Sequence, residues 1–152
     1  MLKKRISAAL IVKDELVVQS FGFSFHLPIG KIVPSVRNLA KWQVDEIIIL
    51  DISAASRGEV NLDLIRVASA ASDGTPIVYG GGIQNSREAA KIIQNGAERL
   101  VVGASFIEGN CSPKSIAQAV GAQAIILSLP LIEDKGEVFV LNYISGRKSN
   151  VD

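Results

Sequence analysis

The sequence predicts an α/β fold in which parallel strands alternate with helices. Two observations favour this class: apolar runs of strand length recur along the chain, and segments with apolar residues at helical spacing separate them. The run 45–51 contains Ile-Ile-Ile-Leu, which is apolar on both faces and typical of a strand inside a parallel sheet. The predicted strands are 6–12, 45–51, 76–79, 99–102 and 124–129.

Each of the first four strands is followed by a helical pattern with recognisable boundaries. The last helix is the clearest, because Ser112 is a suitable N-cap, Pro113 suits the first turn and Gly121 ends the pattern. The predicted helices are 35–42, 62–71, 85–95 or 86–95, and 113–120. Beyond the fifth strand, Lys135-Gly136-Glu137 predicts the turn of a small hairpin between 131–132 and 138–141.

A repeat narrows the architecture. Residues 44–53 and 96–105 share a charged strand start, four apolar positions, a small or acidic residue and then serine, at an offset of 52 residues. Repetition of a βα unit favours a TIM-type (β/α) barrel over an open sheet. A closed barrel needs about 250 residues. We therefore expect residues 1–152 to form a single domain that is an incomplete barrel of about five strands and four helices.

Composition excludes several classes of function. A net charge of +1 does not favour nucleic acid or anionic membranes as partners. The single cysteine, Cys111, cannot form an internal disulfide, which fits a reducing cytoplasm. The first apolar stretch is too short and too soon followed by charges to predict a signal peptide or membrane span. No cluster of histidines or cysteines predicts a metal site.

Glycines end two predicted neighbouring strands. Gly80-Gly81-Gly82 follows the third strand, and Gly103 follows the fourth. Backbone amides without side chains can approach an anion closely, and phosphate is the usual guest. The pattern predicts a phosphorylated small-molecule ligand at the carboxyl-end face of the sheet, with tight ligand-free βα turns as the alternative.

Several short motifs, in order and at matching spacing, resemble one known family, the cyclase subunit of imidazole glycerol phosphate synthase. The resemblance runs from Met1 to about Ser149 and covers the first half or so of that family's barrel. The motifs are Met1-Leu2, Lys4-Arg5-Ile6, Val12-Lys13-Asp14, Asp45-Glu46, Leu50-Asp51-Ile52, Gly80-Gly81-Gly82-Ile83 and Gly96-Ala97.

The resemblance implies a division of labour. A glutaminase partner docks at the amino-terminal face of the barrel, and ammonia passes through the core to a bisphosphorylated aminoimidazole ribonucleotide at the opposite face. The family cleaves and cyclises this substrate without a metal or organic cofactor. In this chain the implied phosphate clamp is Gly82, Gly103 and Ala104. The implied ammonia gate is a salt-bridged ring of Arg5, Glu46 and Arg99; simple solvation of these charges is the alternative.

The sequence departs from the family at the chemical centre. The two family aspartates that act as general acid and base match Ile11 and Pro130, and a substrate-binding lysine matches Gln19. Neither Ile11 nor Pro130 can carry a proton. Asp51, at the end of the second strand, is the candidate substitute at the barrel mouth, and capping of the following segment is its alternative role.

The region between the first strand and the first helix offers a second candidate for a proton-carrying residue. The only histidine, His26, lies in a predicted loop, 21–28, that would cover the mouth as a lid. Its phenylalanines are expected to pack this loop down. Asp14 and Glu15, just past the first strand, are expected in solvent.

Two classes of function remain open at this point. The first is an ammonia-using enzyme, either of histidine biosynthesis or a divergent paralogue that makes amino sugars for surface polysaccharide. The second is a catalytically inactive half-barrel that binds a second half or another copy of itself, or a truncated product. Open first and fifth strands would expose apolar edges and favour such association.

Overall fold

A computed structural model describes residues 4–22, 24–109, 111–142 and 145–150. The motif Met1-Leu2, and Phe23 in the predicted loop, lie outside these residues. The strands are β1 (Ser7–Lys13), β2 (Leu16–Phe21), β3 (Phe25–Lys31), β4 (Glu46–Asp51), β5 (Ile77–Gly80), β6 (Arg99–Val102), β7 (Ile125–Leu127), β8 (Leu131–Asp134), β9 (Glu137–Leu141) and β10 (Lys148–Asn150). The helices are α1 (Ile32–Lys41), α2 (Ile52–Arg57), α3 (Leu62–Ala71), α4 (Ser86–Gln94), α5 (Ala104–Ile107) and α6 (Pro113–Val120), with a 3-10 turn at Ala122–Ala124.

The main sheet has seven strands in the order β3-β2-β1-β4-β5-β6-β7. Strands β1, β4, β5, β6 and β7 are parallel. Strand β2 pairs antiparallel with β1, and β3 pairs antiparallel with β2. The five predicted strands and four predicted helices are confirmed as these parallel strands and as α1, α3, α4 and α6. A parallel-rich sheet with crossover helices is the architecture of a partial TIM-type barrel.

The predicted loop between the first strand and the first helix is wrong. Residues 16–31 form the β2–β3 hairpin, so Gln19 and His26 lie on strands and not in a lid. The apolar and β-branched run Leu16-Val17-Val18 pairs with the carboxyl end of β1, and Val17 and Val18 are buried. As a result, β3 and not β1 is the edge of the sheet on this side.

The 52-residue repeat is visible in the backbone. Helix α2 begins at Ile52, directly after β4 ends. Helix α5 begins at Ala104, one residue beyond the end of β6. A longer helix follows in both halves, α3 in the first and α6 in the second. The short helices were not predicted because six and four residues are too few to show helical periodicity.

The core lies between the sheet and its helices. Ile47, Ile49 and Tyr79 on the strands are fully buried against helical residues such as Ile65 and Ile92. The inner face carries the alternate residues of each strand, which follows from the parallel register. The predicted small hairpin is confirmed as β8–β9, and β10 adds a third strand to it. Among the described residues, no helix is long and apolar enough to cross a membrane.

Candidate functional site

The two glycine turns lie at the same edge of the sheet. Strands β5 and β6 are parallel neighbours, and Gly80 is the register partner of Val101. Gly82 and Gly103 each follow these partners by two residues, beyond the carboxyl ends of the strands. The Ser105 hydroxyl donates a hydrogen bond to the carbonyl of Ile83 at 2.7 Å and ties the two turns together.

Packing gives its own reason for these glycines. A Cβ on Gly81, whose φ is +144°, would overlap the Asp51 carbonyl oxygen. A Cβ on Gly82, whose φ is +72°, would lie 2.5 Å from the Glu59 carbonyl group. Both positions therefore require glycine whether or not an anion binds there.

Among the turn, loop and cap hydrogen bonds between backbone groups of the described residues, none uses the N–H of Gly82 or Gly103. The nearby start of α4 is different, because the chain's own side chains already satisfy it: Gln84 N–H donates to the Glu88 carboxylate at 2.7 Å, and Glu88 N–H donates to Asn85 Oδ1 at 3.0 Å. An anion at this edge would therefore bind to the turn amides and not to the end of α4.

Asp51 caps a helix. Its side chain is buried, with 3% exposure, and Oδ1 accepts a hydrogen bond from Ala54 N–H at 2.8 Å, which caps α2. Along β4 it alternates with Ile47 and Ile49, which places it on the helix-facing side of the sheet. It borders an open depression of about 280 Å³ whose other lining residues are Asp14, Glu15, Ser53, Arg57 and Asn61. Its acid–base role stays a prediction.

The inner face is apolar around Ile11, the position where the resemblance implies the first catalytic aspartate. Ile11 on β1 is the register partner of Leu50 on β4, which pairs in turn with Gly80 on β5. Pro130 follows β7, and its carbonyl accepts a hydrogen bond from Leu141 N–H at 2.8 Å. Gln19 is exposed on β2. Ile11, Pro130 and Gln19, at the positions where the resemblance implies two aspartates and a lysine, carry no group that exchanges protons near neutral pH.

The amino-terminal edge of the sheet collects charged residues. Arg99 forms a salt bridge with Glu46, whose side chain is only 5% exposed while that of Arg99 is 34% exposed. The Ser7 hydroxyl donates to Glu46 Oε1 at 2.9 Å. Arg5, Glu46 and Arg99 border a second open depression, of about 380 Å³. The Arg5 guanidinium donates a hydrogen bond to the Asp45 carbonyl at 3.5 Å. All three predicted gate residues thus lie around one depression, and their role as a gate stays a prediction.

Sequence reasoning missed Ser7 as a partner of Glu46. The signal was present, because β1 and β4 are adjacent and their first residues, Ser7 and Glu46, are register partners. Register was not assigned from the sequence, so the hydroxyl next to the carboxylate was overlooked.

Two buried groups are held in their neutral forms. Burial raises the pKa of Tyr79 far above its usual range. The hydrogen bond that its hydroxyl accepts from Asn61 N–H, at 3.1 Å, lowers this pKa by a smaller amount. Burial likewise raises the pKa of the Cys111 thiol, against a hydrogen bond with Ser105. Neither suits a general base or nucleophile near neutral pH. The described residues contain no group of three or more His, Cys, Asp or Glu that could hold a metal ion.

The side chains of Phe21 and Phe25 do not pack as predicted. Phe21 and Phe25 are 46% and 59% exposed, so they do not pack the segment down, and their ring centroids lie 5.9 Å apart. His26 on β3 is the register partner of Ser20 on β2. His26 Nδ1 and Ser20 Oγ are both buried without a hydrogen-bond partner among the described residues.

The fold and these edges define an α/β protein of the TIM-barrel class, with a charged amino-terminal edge and glycine turns at the carboxyl-terminal edge. The model of the family described as histidine biosynthesis protein matches residues 5–150, and the chain belongs to that family.

Three similar proteins are named as subunits of imidazole glycerol phosphate synthase. A Vibrio vulnificus protein with the provisional name imidazole glycerol phosphate synthase subunit hisF2 is 36% identical over 154 residues, which span 100% of this chain and 56% of the relative. The imidazole glycerol phosphate synthase subunit HisF of Buchnera aphidicola is 34% identical, over 89% of this chain and 52% of its own length. That of Aliivibrio fischeri strain MJ11 is 35% identical with the same coverage of 89% and 52%. The chain therefore spans about half the length of the curated relatives it matches.

Proposed function

We propose that the chain forms the amino-terminal part of a cyclase-type subunit of a glutamine amidotransferase, which uses glutaminase-derived ammonia on a phosphorylated substrate. The observation that carries the proposal is the family match over residues 5–150, combined with the Ser7–Glu46–Arg99 cluster at the amino-terminal edge. The relatives' names support a synthase role.

The amino-terminal cluster is proposed as the ammonia gate. Glu46 and Arg99 form an ion pair, and in the proposed gate a neutral molecule passes when this pair separates or shifts. Ser7 supplies Glu46 with a second hydrogen bond and restrains the carboxylate. Arg5 lines the same depression and is the third of the proposed gate residues in this chain.

At the opposite edge, the amides of Gly82, Gly103 and Ala104 are proposed to bind a phosphate group of the substrate. The two turns are tied together by Ser105, so their amides are preorganised. The ligand contributes the negative charge, and the backbone supplies donors without side-chain obstruction.

The chemistry at the mouth is proposed to differ from cyclisation of the histidine-pathway substrate. Ile11 and Pro130 cannot exchange protons, and Leu50 and Gly80 leave the adjoining inner positions apolar. We expect no turnover of the bisphosphorylated aminoimidazole ribonucleotide. A divergent paralogue that aminates a sugar for surface polysaccharide fits this replacement better.

The substitution Asp51→Asn tests the remaining carboxylate. Asparagine retains the side-chain oxygen that caps α2 but removes the acid–base group. If Asp51 acts in catalysis, activity falls at least a hundredfold with little change in stability. If it only caps the helix, both stay near wild type.

Transfer of labelled nitrogen tests the function as a whole. The protein is incubated with the glutaminase subunit from the same organism, amide-15N glutamine, excess unlabelled ammonium, and either the bisphosphorylated ribonucleotide or a panel of nucleotide sugars. We expect 15N in a nucleotide sugar and none in a cyclised imidazole. Cyclisation by the wild-type chain would refute the inferred loss of that reaction, and absence of 15N transfer to both would refute the amidotransferase proposal. In the variant Ile11→Asp/Pro130→Asp, any trace of cyclase activity is expected to rise.

A second candidate function, assembly with further strands, rests on the sheet edges. Within the described residues, β7 pairs only with β6, and Leu127 and Leu129 beside it are 47% and 46% exposed. Such an edge favours addition of strands, from the same polypeptide or from another copy. Light scattering of the 152-residue chain tests this: twice the chain mass supports association, and a stable monomer contradicts it.

A further inference from the structure

Side chains of both charges line the open depression beside Asp51, whose volume is about 280 Å³. The lining residues are Asp14, Glu15, Asp51, Ser53, Arg57 and Asn61. None of the residues proposed above for phosphate binding or for the gate is among them. Pockets for drug-sized ligands begin at about 300 Å³, so a depression of this size suits a smaller metabolite.

The buried carboxylate of Asp51 has one oxygen without a partner. Oδ1 accepts the hydrogen bond from Ala54 N–H, but no described residue donates a hydrogen bond to Oδ2 or forms an ion pair with it. The residue is only 3% exposed, and it lines the depression. Because a buried charge is costly unless its atoms are paired, a ligand cation at Oδ2 would stabilise this carboxylate.

Arg57, at the end of α2, supplies a positive charge that the described residues leave unpaired. It lines the same depression as Asp14, Glu15 and Asp51 but forms no ion pair with them. Asp51 raises the pKa of the buried Tyr79 hydroxyl and Arg57 lowers it, which places both charges near one group. The opposite charges therefore face one depression without satisfying each other.

Hydrogen bonds fix the walls of this depression. Ser53 Oγ donates to Asp14 Oδ1 at 2.9 Å and accepts from Asp14 N–H at 3.0 Å, which joins the turn after β1 to the start of α2. Asn61 Oδ1 accepts from Leu64 N–H at 3.0 Å and caps α3. These contacts orient the lining residues before a ligand arrives, which lowers the entropic cost of binding.

The combination of charges selects the class of ligand. Three carboxylates against one guanidinium disfavour a simple anion. The described residues contain no group of three or more His, Cys, Asp or Glu that could hold a metal ion, which disfavours a divalent cation. A molecule that carries both an ammonium and a carboxylate satisfies both charges, since a guanidinium binds a carboxylate through two parallel hydrogen bonds.

We propose that this depression binds a free α-amino acid, with the ligand's ammonium at Asp51 Oδ2 and its carboxylate at Arg57. The inference goes beyond the proposed function and does not depend on it, because it rests on the pairing of charges in this depression alone.

Amide chemical shifts of the full chain test the site. The 15N-labelled protein is titrated separately with each of the common L-amino acids, and the backbone amides of Ser53 and Ala54 and the side-chain Nε–H of Arg57 are followed. We expect saturable shifts of all three with at least one amino acid. The N-acetyl derivative of that amino acid lacks the ammonium and its α-amide lacks the carboxylate, so each should bind about tenfold or more weakly.

Two variants assign the two charges. Arg57→Gln should weaken binding about tenfold or more and should bind the amino acid and its α-amide equally, because the carboxylate has lost its partner. Asp51→Asn retains the oxygen that caps α2 and should bind the amino acid no better than its N-acetyl derivative. Arg37→Gln is the matched control, since Arg37 is exposed on α1 and does not line the depression, and its Kd should equal that of wild type.

Either of two results would overturn the inference. One is the absence of saturable shifts at these positions with every amino acid up to about 10 mM. The other is a Kd that Arg57→Gln and Asp51→Asn both leave unchanged. Neither result bears on the proposed function, which the 15N-transfer assay tests separately.

Discussion

Removal of the Arg99 guanidinium should measurably destabilise the protein. Arg99→Met retains the apolar stem but leaves Glu46 with Ser7 as its remaining hydrogen-bond donor. Breaking a fully buried ion pair costs about 3–5 kcal/mol, whereas an exposed pair contributes about 0–1 kcal/mol. Because Glu46 is 5% and Arg99 34% exposed, we expect an intermediate loss, about 2 kcal/mol in the free energy of unfolding.

Urea unfolding followed by circular dichroism measures this loss. With a urea dependence of about 2 kcal/mol per molar, the midpoint of Arg99→Met should fall by about 1 M. Arg99→Lys, which keeps a cation, should stay closer to wild type. The double variant Glu46→Gln/Arg99→Met should be less destabilised than the sum of its single variants, because the unpaired buried charge is gone.

Two results would refute the reasoning about this pair. One is Arg99→Met within about 0.5 kcal/mol of wild type, which is the range of ordinary surface substitutions. The other is additivity of the two single variants, which would show that Glu46 and Arg99 do not interact in solution.

Three further predictions concern the turns, the strands and the thiol. Glu15 and Gly136 both have φ above +60°, and the space around Gly136 is open. In thermal unfolding, Glu15→Gly should therefore stabilise the protein by about 0.5–1 kcal/mol, and Gly136→Ala should destabilise it by about 1 kcal/mol. Changes of the same sign in the two variants would contradict this backbone explanation. Ser20→Ala should raise stability by about 1 kcal/mol because its hydroxyl is buried without a partner, whereas Ser7→Ala should lower it by about 1 kcal/mol; a loss at Ser20 would show that its hydroxyl is satisfied. Iodoacetamide at pH 8 should alkylate Cys111 at least tenfold more slowly than free cysteine, since its raised pKa reduces the thiolate fraction, and urea should remove the protection; fast native alkylation would contradict the buried thiol.

The parallel strands were predictable because each concentrates apolar residues in four to seven positions, as Ile47–Leu50 does within β4. The turn that leads from β1 into β2 was not, because Asp14 and Glu15 adopt positive φ there without the glycine that normally marks such a turn. Local composition thus identified strands that lie in the core and missed a turn that the surrounding strands impose.

Some features of the candidate site were predictable from the sequence and others were not. Gly82 and Gly103 could be placed at one edge from strand order alone, since the carboxyl ends of neighbouring parallel strands coincide. The capping contact of Asp51 depended on the short helix α2, which has no periodic signature.

Phosphate binding by the amides of Gly82, Gly103 and Ala104 is the central claim, and amide chemical shifts test it directly. The 15N-labelled protein is titrated with inorganic phosphate, and with chloride at the same ionic strength as the matched control. We predict saturable shifts of these three amides with phosphate only. Unchanged shifts at all three, or equal shifts with chloride, would contradict it.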